Sequence, residues 1–330
     1  MNILILGGTV FLGRHLVKSA LSRNHTITLF NRGQHNPELF PEIEKIKGDR
    51  TVSLDQLKDR KFDAVIDTCG YFPRAVKMSA EFLKDSADHY TFISSVSVYK
   101  DFSIKGMDEN AVTGKIEDES IEEITGESYG PLKVLCENAV TDIYNDRALN
   151  IRPGLIVGEN DPSDRFTYWV HRISDGGKVF APDGRDSNVQ FIDVKDLADW
   201  TIKMAEEKNS GVYNATGPDY ELTFGNFIKA CQEVTKKKSE IIWAGEQFIT
   251  DENVSGWTDL PMWISQEEEG VNNINISKAV KDGLKFRPIK ETITDTLKFD
   301  KTRKNYVLRA GLKPERESQL IKKWEEQIHA

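Results

Sequence analysis

The stretch from Ile3 to Ala20 limits the fold of this chain more than any other. Ile3-Leu4-Ile5-Leu6 is a short unbroken apolar run, the pattern of a strand buried on both faces. Gly7-Gly8-Thr9-Val10-Phe11-Leu12-Gly13 follows, and Leu12, Leu16 and Ala20 then recur at helical spacing. A strand, a glycine-rich turn and a helix in that order bring backbone N–H groups and a helix N-terminus to one point. A pyrophosphate binds at such a point. Gly7, Thr9, Val10, Phe11, Leu12 and Gly13 are therefore the candidate phosphate-binding residues.

The same alternation continues through the first half. Thr26 to Phe30, Ala64 to Asp67, Tyr90 to Ser94 and Asn150 to Arg152 read as buried parallel strands, with helices over 75–84 and 133–144. This order predicts an α/β fold, an open doubly wound parallel sheet with ligands outside the carboxyl ends of its strands. After Gly158 the pattern is irregular. Helices are expected over 165–174, 194–206 and 224–237, with short strands near 190–192 and 212–214. Gly256 to Gly270, rich in Trp, Pro and acids, reads as a loop or lid. The expectation is a dinucleotide-binding domain over 1–155. A smaller mixed α/β substrate lobe follows over 156–330, partly interwoven with the first.

Charged residues make up 29% of the 330-residue chain and the net charge is -9, a balance that disfavours a polyanion as main partner. Asp101 to Ser128 holds nine acids against two lysines, and Lys301 to Ala330 holds eight Lys/Arg against four glutamates. The alternating charges of that tail suit a solvated helix. Cys69, Cys136 and Cys231 have neither metal nor disulfide spacing, which suits the cytoplasm, and no metal site is expected. No apolar run approaches the ~18 residues of a membrane span.

Tyr129-Gly130-Pro131-Leu132-Lys133 places a phenol and an ammonium one helical turn apart. A nearby ammonium favours the phenolate, so this pair can pass a proton to or from a carbinol while a nicotinamide moves a hydride. A helix N-terminus with an exposed aromatic would show the same residues, and Pro131 suits either reading.

Taken together, the glycine loop, Ser94-Ser95-Val96-Ser97-Val98-Tyr99 and Tyr129/Lys133 resemble the short-chain dehydrogenase/reductase superfamily in its extended, epimerase/dehydratase-like branch. The resemblance covers roughly residues 1–217 and implies a Rossmann domain. Val10 stands where that branch carries the middle glycine of Gly-x-x-Gly-x-x-Gly. The variant is similar to the atypical subgroup of chloroplast stem-loop RNA-binding proteins, and a β-branched side chain there crowds a pyrophosphate. The resemblance implies Tyr129 as general acid/base, Lys133 as the group that lowers its pKa and holds the nicotinamide ribose, and Ser95 as the group that polarises the reacting oxygen. It also puts Asp49 beside the adenine and Cys69, Gly70 and Pro153 along the cofactor. Asn31-Arg32 follows the second strand where an acid would select NAD, so NADP(H) is favoured over NAD(H).

Val96 and Ser97 occupy the place of the Asp-Glu pair of sugar-nucleotide dehydratases. Leu155 in Arg152-Pro153-Gly154-Leu155 occupies the place of an amide that serves nucleotide-sugar phosphates. The run Arg152-Pro153-Gly154-Leu155-Ile156-Val157-Gly158 instead resembles carbonyl reductases of the extended branch, and the function this resemblance implies is NADP(H)-dependent reduction of a carbonyl on a small-molecule substrate. The alternatives are a nucleotide-sugar epimerase, or an NADP(H)-sensing or RNA-binding protein without catalysis. Arg165 and Trp169, one turn apart, are candidate substrate contacts or a salt bridge and a core aromatic. Asp164 is the expected N-cap of their helix, and Asp196 of the helix that begins near Val194. A homodimer is the expected assembly.

Overall fold

Runs of branched apolar residues make the central strands because both faces of a parallel sheet are covered by helices. The computed structural model describes residues 1–329. The first half contains β1 (Asn2–Leu6), α1 (Phe11–Ser22), β2 (Thr26–Asn31), β3 (Glu44–Lys47), β4 (Ala64–Asp67), α2 (Pro73–Leu83), β5 (Tyr90–Ile93), α3 (Tyr129–Tyr144) and β6 (Ala148–Pro153). Then come β7 (Ile156–Val157), α4 (Arg165–Asp175), β8 (Gly177–Pro182), β9 (Ile192–Asp193), α5 (Val194–Glu206) and β10 (Gly211–Ala215). The chain ends through α6 (Phe224–Thr235), β11 (Ser239–Ala244), α7 (Glu246–Asp251), α8 (Ser277–Lys281), α9 (Ile289–Asp300) and α10 (Pro314–Ile328).

One sheet of seven strands, all paired in parallel, runs β10-β6-β5-β4-β1-β2-β3. Its order reverses beside β1, so the crevice at the carboxyl ends of β1 and β4 is the topological switch point. The doubly wound α/β fold read from the alternation is the fold observed. The strand expected near Val212–Asn214 is β10, an edge of this same sheet, and α5 before it packs on α1. The second half thus contributes a strand and a helix to the first. Its own apolar core gathers Phe166, Trp169, Phe180, Phe224 and Phe227 around the two-stranded β11–β8 sheet.

Two expected caps are corrected. Asp164 does stand at the N-cap of α4, but its carboxylate caps nothing; it accepts from Arg303 Nη1 and from the backbone N–H of Arg309. Asp193, not Asp196, caps α5 by accepting from Lys195 N, while Asp196 accepts from Arg287. Within 256–270 the lid reading meets a run of turns and then a 3-10 segment over Gln266–Asn272. No helix among the described residues is long and apolar enough to cross a membrane.

Candidate active site

The turn after β1 is shaped by what its backbone must do. Gly7 and Gly8 hold φ of +110° and +93°, and a Cβ on Gly13 would stand 2.7 Å from Gly8 Cα. The loop therefore folds back flat against the first turn of α1. Val10 at the N-cap offers no side-chain cap, so the leading N–H groups of α1 stay free for an anion. Val10 has ordinary extended angles, φ −121° and ψ 148°, and is 46% exposed. Valine is thus no strain on this backbone, and its side chain occupies space above the loop.

A cleft of about 690 Å³ runs from this loop along the strand ends. Gly7, Thr9, Val10, Phe11, Leu12, Gly13, Asn31, Arg32, Asp49, Cys69, Ser95, Tyr129, Lys133 and Pro153 all line it. One continuous cavity therefore joins the expected phosphate, adenine and catalytic groups. Gly70 is not among its lining residues; its carbonyl accepts from Lys133 Nζ at 2.8 Å. Phe30, His35 and Tyr71 line the cleft without having been singled out as contacts, and Ser94, a competitor of Ser95 for the polarising hydroxyl, lines it too. No spacing signal marks the first three, because they are strand ends and connections whose direction only the fold sets.

Gly130 decides how α3 meets the loop after β5. A Cβ on Gly130 would lie 2.0 Å from Ser97 O, so only glycine lets the helix start rest on that turn. This brings Tyr129 beside Ser95. The Ser95 hydroxyl accepts from Ser97 N at 3.1 Å and donates to Ser97 Oγ at 3.0 Å. Burial pushes the Tyr129 phenol above its ordinary value, and the neighbouring Ser95 hydroxyl opposes that shift. Lys133 makes no hydrogen bond to the Tyr129 phenol among the described residues. Lys133 Nζ donates to the carbonyls of Gly70 and Ile93 and sits 4.2 Å from the centre of the Phe92 ring. Burial lowers its own pKa to about 8.

Asn31 lines the cleft and also braces it. Its amide donates to Gly7 O at 2.8 Å and its carbonyl accepts from Gly33 N at 2.9 Å, so it ties β2 to the glycine loop. Arg32 is exposed and has no ion-pair partner among the described residues. Asp49 takes two bonds from Thr51, which with the charge of Arg32 hold it below the usual carboxylate range.

The sequence reading missed a buried ion pair under the cleft. Arg50 Nη1 and Nη2 donate to the two oxygens of Asp67 at 2.7 Å each, and Tyr90 Oη donates to the same carboxylate at 2.9 Å. An aspartate ending an otherwise apolar strand was the available signal, since a fully buried carboxylate requires a partner. Asp67 also accepts from Cys69 N at 3.2 Å and so shapes the cleft wall. Cys69 itself is exposed on the cleft, and its thiol donates to Leu6 O at 3.5 Å.

Of the two readings of Trp169, the core aromatic is the one observed: it is fully buried, donates from Nε1 to Pro261 O at 2.6 Å and belongs to the second core. It cannot face a substrate. Arg165 is half-buried with its guanidinium 5.0 Å from the centre of the Trp257 ring, outside the cleft lining.

Two observations test whether a nicotinamide dinucleotide suits the cleft. A Cβ at Gly7, Gly8 or Gly13 would run into Thr68, Leu29 or the Gly8 backbone, so the turn that presents the N–H groups needs glycine at all three. Ser94 Oγ, buried in the cleft wall, has no hydrogen-bond partner among the described residues. An apolar-backed groove with free N–H groups at one end and an unsatisfied hydroxyl at the other fits such a ligand.

Comparison with known proteins places the chain in a family and a fold. The model of the NAD dependent epimerase/dehydratase family matches residues 3–216. The chloroplast stem-loop binding protein of 41 kDa b from Arabidopsis thaliana is 27% identical over 255 residues, covering 70% of this chain and 62% of that one. The chain thus matches less than two thirds of this relative's length. Among solved structures, a putative epimerase from Burkholderia cenocepacia superposes with a TM-score of 0.70 at 14% identity, over 92% of this chain and 98% of that one. UDP-N-acetylglucosamine 4-epimerase from Bacillus cereus gives 0.69 at 17% identity, over 93% and 99%.

Proposed function

The chain belongs to the NAD dependent epimerase/dehydratase family, and from that premise we propose that it reduces the carbonyl of a small molecule with NADP(H). The observation that carries this reading is the meeting of Ser95, Tyr129 and Lys133 in the cavity that also holds the glycine loop. A nicotinamide bound there supplies the hydride.

The chain's own residues supply the rest. Tyr129, kept protonated by burial, donates its proton to the carbonyl oxygen as negative charge develops there. Ser95 can turn its hydroxyl from Ser97 to the same oxygen and polarise it. Lys133 spends two of its three N–H donors on Gly70 and Ile93. The third is left for a ribose hydroxyl or for the Tyr129 phenol. Arg32, exposed on the cleft beyond β2, is the counter-charge proposed for a 2′-phosphate.

Transient oxidation and re-reduction of a nucleotide sugar would employ the same three residues, and the family match favours it as a second reading. Leu155 weighs against it, because it packs on the apolar core of the second lobe and offers no amide to a phosphate. An RNA-binding role is disfavoured by the net charge of -9. The deciding assay follows NADPH absorbance across a panel of ketones and aldehydes, with nucleotide sugars monitored in parallel by NMR. Consumption of NADPH with a small carbonyl is expected. Inversion of a nucleotide sugar with no carbonyl reduced would reject the proposal.

A further inference from the structure

Behind the cleft lies a second buried polar cluster that the proposed chemistry leaves unused. Glu137, one turn beyond Lys133 on α3, pairs with Arg152 of β6 through two bonds of 2.9 and 2.7 Å. Their side chains are 5% and 6% exposed. Arg152 Nη1 goes on to donate to Tyr99 Oη and to Glu109 O, both at 3.2 Å. Tyr99 Oη donates to Asn214 Oδ1 of β10 at 2.6 Å. The backbone N–H of Asn214 donates to Glu109 Oε1 at 2.8 Å, and its side-chain amide donates to Asn275 O at 3.1 Å.

Tyr99, Glu137 and Arg152 each sit on a piece of chain that also carries part of the cleft. Ser95 is four residues before Tyr99 on the same loop; Tyr129 and Lys133 precede Glu137 on α3; Pro153 follows Arg152 on β6. Burying an ion pair costs desolvation that apolar residues of the same size would avoid. Here the pair is bidentate and every partner belongs to a different piece of chain, so its effect is to fix distances between those pieces.

We infer that Arg152, Glu137 and Tyr99 are positioning residues: together they hold α3 against the loop after β5 and so set the spacing of Tyr129 and Ser95. This rests on the catalytic roles proposed above. Displacement of a reacting group by about 1 Å costs on the order of 100-fold in rate, and the clamp acts on that scale.

The test compares Tyr99→Phe, which removes one hydroxyl and keeps the ion pair, with Arg152→Met and Arg152→Lys. For Tyr99→Phe the expected result is kcat for carbonyl reduction lowered about 10- to 100-fold, with KM and the NADPH dissociation constant within about twofold. Arg152→Lys should recover part of what Arg152→Met loses. A Tyr99→Phe enzyme with unchanged kcat overturns the inference, whatever its melting temperature.

A second readout stands without turnover. Protein labelled with 3-fluorotyrosine gives a 19F resonance for Tyr129, assigned by its loss in Tyr129→Phe. In Tyr99→Phe that resonance should shift or broaden. An unmoved resonance overturns the clamp, whereas a moved one with no carbonyl reduced by the wild type keeps the clamp and rejects the reductase reading.

Discussion

Gly130→Ala sets two physical effects against each other. Helix propensity alone favours alanine over glycine by about 1 kcal/mol in a helix interior. The structure opposes it, because the new Cβ would lie 2.0 Å from Ser97 O, a backbone atom. Carbon–oxygen contacts settle at about 3.3–3.6 Å, so helix and turn must separate by more than about 1 Å. Overpacking of this kind costs about 1–3 kcal/mol, which leaves a net loss of about 0–2 kcal/mol after the propensity gain. The melting temperature should therefore fall by no more than a few degrees. Activity should fall much further, because the residue before the substitution is Tyr129 and the atom it is pushed from neighbours Ser95. A loss on the order of 100-fold in kcat is expected, with NADPH affinity nearly unchanged. Calorimetry and steady-state kinetics on the same preparation measure both. A variant that melts higher and keeps full activity would refute the close approach.

Three further outcomes follow from the cleft. Arg32→Ala should weaken NADPH about 10- to 100-fold, the worth of one charge-assisted bond, and leave NADH nearly unchanged; equal weakening of both in titration calorimetry contradicts the 2′-phosphate assignment. Val10→Gly removes a side chain from above the phosphate loop and should tighten NADPH binding, whereas looser binding would show that the valine packs on the ligand. Asp67→Asn strands the Arg50 cation and should cost about 3–5 kcal/mol in urea denaturation. Burial alone would raise the Asp67 pKa, but the charge and bonds of Arg50 outweigh it and hold the pKa below the usual range. Its stabilisation is therefore present above the ordinary carboxylate pKa and lost as pH falls through the depressed one, so Asp67→Asn should flatten the acid limb of the wild-type stability curve. An unchanged acid limb argues against the pair.

The inner strands were legible because a strand covered on both faces must be largely apolar, as Ala64-Val65-Ile66 and Tyr90-Thr91-Phe92-Ile93 are. β3 was not, since Glu44-Lys45-Ile46-Lys47 is a short edge strand whose lysines and glutamate blunt exposed pairing. The glycine loop could be read because positive φ and close approach leave few residue types to choose from. Trp169 could not, because a tryptophan one turn from an arginine suits a core or a cleft equally, and α4 happens to turn that face inward. Asn31 and Lys133 show the same limit at finer scale: their positions were visible, but the carbonyls they bond come from strands and turns far away in sequence.

The central claim is that the Tyr129 phenol delivers the proton while a nicotinamide in the same cavity gives up hydride. It is tested most directly by single-turnover transfer from 4-deuterated NADPH to the best carbonyl substrate, in wild type and in Tyr129→Phe. Deuterium is expected in the alcohol from wild type, and transfer slowed about 100- to 10,000-fold in Tyr129→Phe with NADPH still bound. Transfer at the wild-type rate without that hydroxyl would contradict it.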